Sequence, residues 1–378
     1  METKDRNIGI DLLRIISMIM VVTHHYLGHG GVLDQVNDLS FNWFFVWAIR
    51  SICYMSATIF FLISAFFQSE KPLGLKSIIR IWIEVLFYSI LGYCISIIVG
   101  WNSFSLQGLC KAVFPVMFRQ YGFFNGYLLL ALLSKYINSG INHLTQKEHV
   151  RLIAILTTMV CVIPCISHID AFNLSYGEGV LWLLLIYISA AYIRKYKVIG
   201  GSSIKMVCIG LVLCLIQFVI KALIGFVSNS IWGSVKYSNA FFGETPLICF
   251  FASCCVFIGF KNMRIKSNIV TKGVGICTPL VFSVFLLHEN NNLKYHIWEI
   301  LNPGALANEL VFKLILHWLI VVFVIFIISF LIEYFRRLFD KALRITDFVA
   351  SSIYNCRLRS LLCTLEDKFI NGNNEGTK

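Results

Sequence analysis

Ten stretches of this chain are apolar over about the length a helix needs to cross a bilayer core of ~30 Å, roughly 20 residues. They cover 8–27, 45–68, 79–99, 121–138, 152–168, 178–194, 205–227, 241–260, 273–290 and 311–333. The fifth and sixth are short for a span, and the fourth is interrupted by Asn125. No internal repeat, soluble domain or low-complexity linker separates them. The pattern predicts an all-α fold, a polytopic transmembrane helical bundle of about ten spans. Beyond residue 334 the pattern changes: Phe335, Leu338, Phe339 and Leu343 oppose Arg336, Arg337, Lys341 and Arg344, as in an amphipathic stretch lying on a leaflet. The expected division is a ten-span membrane domain over 1–335 and a basic amphipathic tail over 336–378, with Asn371–Lys378 disordered.

Composition agrees with lipid as the main solvent. Hydrophobic residues make up 58% and charged residues 14%, with a mean hydropathy of +0.76, where soluble domains run nearer about 45–50% and about 25%. The net charge of +12 would fit a nucleic-acid partner only if the basic residues shared a polar face. Instead they fall in short clusters between the apolar runs, which reads as topology rather than nucleic-acid binding. Cytoplasmic loops of membrane proteins are enriched in Lys and Arg. With the N-terminus inside, the inner loops hold fourteen, among them Lys71, Lys76, Arg80, Lys147, Lys195 and Arg264; the outer loops hold four: Lys111, Arg119, Lys236 and Lys294. The alternation predicts an even number of spans and both termini in the cytoplasm. Of the 13 cysteines, most lie inside apolar runs, including Cys208, Cys214, Cys249, Cys254 and Cys255, and are expected to be packing residues rather than a disulfide framework. The first run carries Asp11, Arg14, His24 and His25 and lacks a cleavage site behind it, so it reads as a retained helix rather than a signal peptide.

Charge inside a bilayer costs at least a few kcal/mol, so each such residue needs a partner, water or a function. Arg14 and His25 are eleven residues apart, about three helical turns, which places them on one face and about 16 Å apart. Asp11 stands three residues before Arg14. Taken alone, the pair fits an arginine snorkelling to the inner interface with Asp11 and a histidine at the outer one as well as it fits a site. Depth ordering favours a site. Arg14, Lys76, Arg80 and Glu84 fall on the inner side, with Arg80 and Glu84 spaced to pair at i,i+4; His25, Glu244, His288 and Glu289 fall on the outer side. A basic cluster and a His/Glu cluster joined by one helix face suit a ligand that threads the bilayer with its anionic end inside, and coenzyme A has that shape. His24 points off the His25 face. Lys221 and His317 read as hydrogen-bonding within the bundle, and Trp43-Phe44-Phe45 and Phe123-Phe124 as interfacial belts. His25 and His29 are spaced i,i+4 but have no acidic or Cys ligand near them in sequence, so no metal site is expected.

Ile10-Asp11-Leu12-Leu13-Arg14, followed ten residues later by His25, resembles the Arg-x10-His signature of the membrane acyltransferase family 3. Three further segments fall in the family's order: Phe60-Phe61-Leu62-Ile63-Ser64-Ala65-Phe66-Phe67, Phe123-Phe124-Asn125-Gly126-Tyr127-Leu128, and Val284-Phe285-Leu286-Leu287-His288-Glu289-Asn290. The resemblance spans residues 8 to about 335. The chain departs from the pattern at Ala65, where glycine is usual, at Phe123, where tryptophan is common, and at Lys76 and Arg80, where many members have two arginines. The resemblance implies an acyl-CoA-dependent O-acetyltransferase in a bacterial inner (plasma) membrane, with acetyl-CoA as cytoplasmic donor. Absence of a fused hydrolase-like domain favours a surface polysaccharide or undecaprenyl-linked glycan as acceptor; a homo-oligomer is compatible with it. Arg14, Lys76, Arg80 and Ser64 would hold the donor, and His25, Glu244, His288 and Glu289 would form the catalytic side, with no metal.

A sugar hydroxyl is a poor nucleophile, and a neutral histidine can take its proton during attack on a thioester. His25 is the expected base, oriented by Glu244 or Glu289; transient acylation of His25 itself fits equally. Rival readings are a small-anion transporter and a glycan polymerase or flippase. The first lacks the expected repeat symmetry and paired helix breaks; the second lacks a large polar outer loop.

Overall fold

The computed structural model describes residues 6–355, apart from 168, 170, 171, 173, 175, 176, 178, 199, 236–242 and 244–246. Among the described residues there is no strand. The long helices are α1 (Ile8–Leu27), α2 (Phe41–Cys53), α3 (Met55–Gln68), α4 (Leu75–Ile98), α5 (Gly122–His143), α6 (Gln146–Thr157), α7 (Val180–Lys195), α8 (Ser203–Trp232), α9 (Leu247–Lys261), α10 (Asn268–Cys277), α11 (Val281–His288), α12 (Val311–Leu343) and α13 (Ile345–Asn355). A helix satisfies its backbone groups internally, which hydrocarbon demands, and its exposed N–H groups must find caps at the ends. Asn7, Ser40, Thr145, Ser202 and Ser267 supply those caps for α1, α2, α6, α8 and α10. At Thr145 the cap is reciprocal, with Glu148 returning to the Thr145 N–H at 2.8 Å.

Each of the ten apolar stretches holds helix. Seven helical stretches are long and apolar enough to cross a membrane, including Phe41–Gln68 and Asn268–His288, and α9 is a shorter apolar helix. Three of the seven are made of joined helical segments, one of them Gln146–Ser167 through a π-helical turn at Thr158–Val162. The turn at Tyr54 separates α2 from α3, and Thr278–Leu280, a 3₁₀ turn containing Pro279, separates α10 from α11. Proline has no N–H for the helical ladder and forces the break. Thr278 Oγ1 donates to the Val274 carbonyl at 2.7 Å, and the exposed Arg337 guanidinium donates to the Pro279 carbonyl at 2.5 Å, so the turn is tied from two sides.

α1 lies at the centre, packed against α2, α3, α9, α10, α11 and α12. Its approach to α9 is close at Gly9, where a Cβ would run into the Phe260 carbonyl. Ile10, Leu13, Met18, Val22 and Tyr26 are buried along it. Polar contacts join the neighbouring helices: Tyr187 donates to Asn138 Oδ1 at 2.9 Å and Asn138 to the Gln68 carbonyl at 2.8 Å, linking α7, α5 and α3. Satisfied pairs of this kind are favourable in hydrocarbon, where an unmade bond is expensive.

Several sequence expectations are corrected. Trp43, Phe123 and Phe124 are buried rather than interfacial, with Trp43 stacked under the Lys221 ammonium at 5.6 Å and Trp47 under the same ammonium at 3.5 Å. Arg80 does not pair with Glu84; it pairs with Asp347 of α13 at 2.6 Å, while Glu84 faces Arg336 at 3.7 Å. The reason is α12, which continues unbroken past 335 to Leu343 and brings Arg336 and Arg337 back onto the fully buried Glu333, each at 2.6 Å. Tyr88 donates to the same carboxylate at 3.0 Å, so a charge with no exposure is fully partnered. His317 accepts or donates across to the Tyr26 hydroxyl at 2.9 Å, as expected of a residue bonded within the bundle. The described cysteines are all free thiols, and Cys214 and Cys249 are buried.

Candidate active site

The C-terminal end of α1 meets the C-terminal end of α11. His25, on the last turn of α1, has Nδ1 2.9 Å from His288 Nε2 and 3.1 Å from Glu289 Oε1. Glu289 caps α11 directly after His288, so the helix end presents an imidazole and a carboxylate side by side. His288 is fully buried, and its Nδ1 lies 2.5 Å from the Val284 carbonyl one turn back.

These contacts fix the tautomers. A carbonyl only accepts, so His288 Nδ1 carries the proton and its neutral Nε2 is left as an acceptor. His25 Nδ1 therefore donates to His288 Nε2, with the Glu289 carboxylate 3.1 Å away, and the Nε2 of His25 keeps its lone pair. That is the form a general base needs.

His25 opens onto a cavity of about 590 Å³. His24, His25, His29, Arg50, Tyr54 and Glu289 supply its polar wall, and Phe60, Phe123, Phe282 and Phe285 are among its apolar walls. Along α1 the cavity reaches Met18, one helical turn from Arg14. Arg14 sits at the other end of the same uninterrupted helix, 3.5 Å from Asp11, with Arg6 also bonded to Asp11. α1 thus carries His25 and Arg14 in one piece, as the eleven-residue spacing requires.

Of the residues expected from sequence, His25, His288 and Glu289 are brought together. Glu244 lies outside the described residues. Ser64 is half-buried on α3 and donates to its own helix at Phe60 O, 3.4 Å away, outside the cavity lining. Lys76 and Arg80 stand on the first turns of α4, both exposed, with Arg80 committed to Asp347. Sequence reasoning missed Arg50, which lies within the second apolar stretch. It donates to the His24 carbonyl and lies 5.0 Å from the Tyr54 ring centre, and an arginine inside an apolar run was the signal that could have found it. His29 was seen but set aside, because its carboxylate neighbour is 260 residues away in sequence: Glu289 Oε1 is 3.8 Å from His29 Nε2. His24, expected off the shared face, still reaches the cavity wall, its ring edge-on to His25 at 5.6 Å.

A histidine backed by a second histidine and a carboxylate thus lines an aromatic-walled cavity in an apolar helical bundle. The family model described as "Acyltransferase domain" matches residues 7–334, and the chain belongs to that family. No curated protein and no solved structure matches it. The chain is accordingly a membrane acyltransferase.

Proposed function

We propose that the protein moves an acetyl or similar short acyl group from cytoplasmic acetyl-CoA to a hydroxyl of a surface polysaccharide or undecaprenyl-linked glycan, in a bacterial plasma membrane. The observation that carries this is His25, 2.9 Å from His288 and 3.1 Å from Glu289, lining a cavity that reaches Met18, one turn from Arg14 on the same helix. The acceptor hydroxyl loses its proton to His25 Nε2 as its oxygen bonds to the thioester carbon. The C–S bond then breaks, and the departing CoA thiolate takes the proton back from His25. Glu289 balances the imidazolium formed between these steps. Arg14 holds the anionic part of the donor at the opposite end, with Lys76 and Arg80 at the membrane surface nearby in sequence depth.

The test is purified protein in detergent given labelled acetyl-CoA and glycan acceptor: label should appear on the glycan as base-labile ester. Arg14→Gln should raise the donor KM about 10–100-fold, the worth of a charge-assisted bond of ~1.5–3 kcal/mol, with a smaller change in kcat. A donor KM unchanged in this variant would return Arg14 to a purely anchoring role with Asp11.

The same reading needs the α1 N-terminus and the Arg14 end in the cytoplasm and ten spans in all. Reporter fusions after Lys71, Lys147, Lys195 and Arg264 should all report as cytoplasmic. An external signal at Lys195 would break the ten-span topology.

A further inference from the structure

Beside His25 and Glu289 the cavity places His29, which the acyl-transfer chemistry does not use. His25, His29 and Glu289 each offer one ligand atom, and the three atoms lie within 4.8 Å of one another. The Glu289 oxygen is the pivot, 3.1 Å from His25 Nδ1 and 3.8 Å from His29 Nε2. In a tetrahedral zinc site with bonds of about 2.0–2.2 Å, neighbouring ligand atoms are roughly 3.3 Å apart. The two distances to Glu289 bracket that value.

We infer that His25, His29 and Glu289 form a binding site for a zinc-class divalent cation, and that the cation and the general base compete for the same imidazole. Two imidazoles and a carboxylate with a position left open are a zinc ligand set, and borderline-soft nitrogen donors select zinc over calcium or magnesium. His288 adds to it. Its Nε2 is 2.9 Å from His25 Nδ1 and is the acceptor nitrogen, while its Nδ1–H is held by the Val284 carbonyl. A ligating histidine is ordinarily oriented by such a bond on its other nitrogen. His288 therefore stands beside the three ligands as the hydrogen-bond partner of His25, and the fourth position stays open.

His29 decides whether an ion can arrive. Its side chain is 37% exposed, against 16% for His25 and 15% for Glu289, so the site opens to the cavity mouth through His29. Two cations face the same cavity, Arg50 and Lys294, and weaken the site without filling it. Binding also reverses the tautomer of His25. Nδ1 must give up its proton to take the metal, and Nε2 then carries one, so the lone pair that would accept the hydroxyl proton disappears with no net proton exchanged. Zinc would thus switch the base off by protonating its working nitrogen, a consequence that rests on the proposed acyl transfer; the site itself does not.

Binding is therefore measured without donor or acceptor. Purified protein in detergent is titrated with Zn²⁺ against a chromophoric chelator, comparing wild type, His29→Gln, Glu289→Gln and His296→Gln; His296 stacks on Trp101 away from the cavity. Wild type and His296→Gln should bind one equivalent more than His29→Gln and Glu289→Gln, or hold that equivalent at least about tenfold more tightly. Differences between variants separate this ion from any held by surface thiols. Co²⁺ should give the intense visible bands of a four-coordinate site in wild type and lose them in His29→Gln. Equal zinc occupancy and affinity in wild type and His29→Gln, with both eluting as the same monodisperse species, would overturn the proposal. So would loss of the ion in His296→Gln instead.

Discussion

His25→Ala should lower acyl transfer by about 10²–10⁴ while the protein still folds and inserts, because the whole contribution of a positioned general base is lost. The competing view, a histidine that closes the end of α1, predicts only the cost of one hydrogen bond, about 0.5–1.5 kcal/mol of stability. Gel filtration and thermal unfolding of the purified variant distinguish the two, since a structural histidine would lower stability and activity together. His24→Ala is the companion measurement. His24 also lines the cavity, but the Nδ1 bond to His288 and the approach to Glu289 belong to His25, so His24→Ala should keep most of the activity. If His24→Ala is the dead variant and His25→Ala is active, the assignment of His25 as the base is wrong; if both are active, the histidine mechanism fails. Glu289→Gln removes the charge that balances the imidazolium and should fall between the two.

Much of this arrangement was legible in the sequence because helix geometry acts over short distances. The apolar runs gave the helices, and eleven residues on a straight α1 were enough to put Arg14 and His25 on one element about 16 Å apart. Contacts between distant segments were less accessible. Adjacency of His288 and Glu289 is a sequence fact, but their arrival at His25 depends on the Pro279 turn and on the way α11 docks against α1 and α12. Arg80 misled for the same reason: an i,i+4 partner was present in the chain, yet Asp347, 267 residues on, takes it. The buried Glu333 was invisible because its partners Arg336 and Arg337 looked like the start of a surface tail, and only the unbroken helix to Leu343 turns them back onto it. The aromatic runs failed differently. Trp43 and Phe124 have the composition of a belt residue, and nothing local distinguishes a ring at the headgroups from one packed against another helix.

Gly92→Ala should impair the enzyme although residue 92 does not line the cavity. A Cβ there would sit well inside van der Waals contact of the Asn290 side chain, on three of its atoms. Asn290 cannot easily give way: its amide donates to the Tyr88 carbonyl at 2.9 Å and to the Tyr121 hydroxyl at 2.8 Å, and its Oδ1 accepts from the Asn292 N–H at 3.0 Å. Tyr121 in turn donates to the Leu286 carbonyl at 3.0 Å, so one buried network pins both sides of the segment that carries His288 and Glu289. Overpacking of this kind costs about 1–3 kcal/mol, and breaking a buried amide bond adds about 1–3 more. The expected result is a lower Tm in detergent and a kcat reduced at least about tenfold, since a displacement near 1 Å at a catalytic group can cost ~10²-fold. Asn290→Ala alone should also lose activity, by freeing the same segment. The decisive variant is the pair. Shortening residue 290 removes the atoms that the new methyl would meet, so Gly92→Ala should cost much less stability in the Asn290→Ala background than in wild type, a coupling of at least about 0.5 kcal/mol in a double-mutant cycle. Strict additivity of the two stability changes would mean that the helix end is held by something other than this contact.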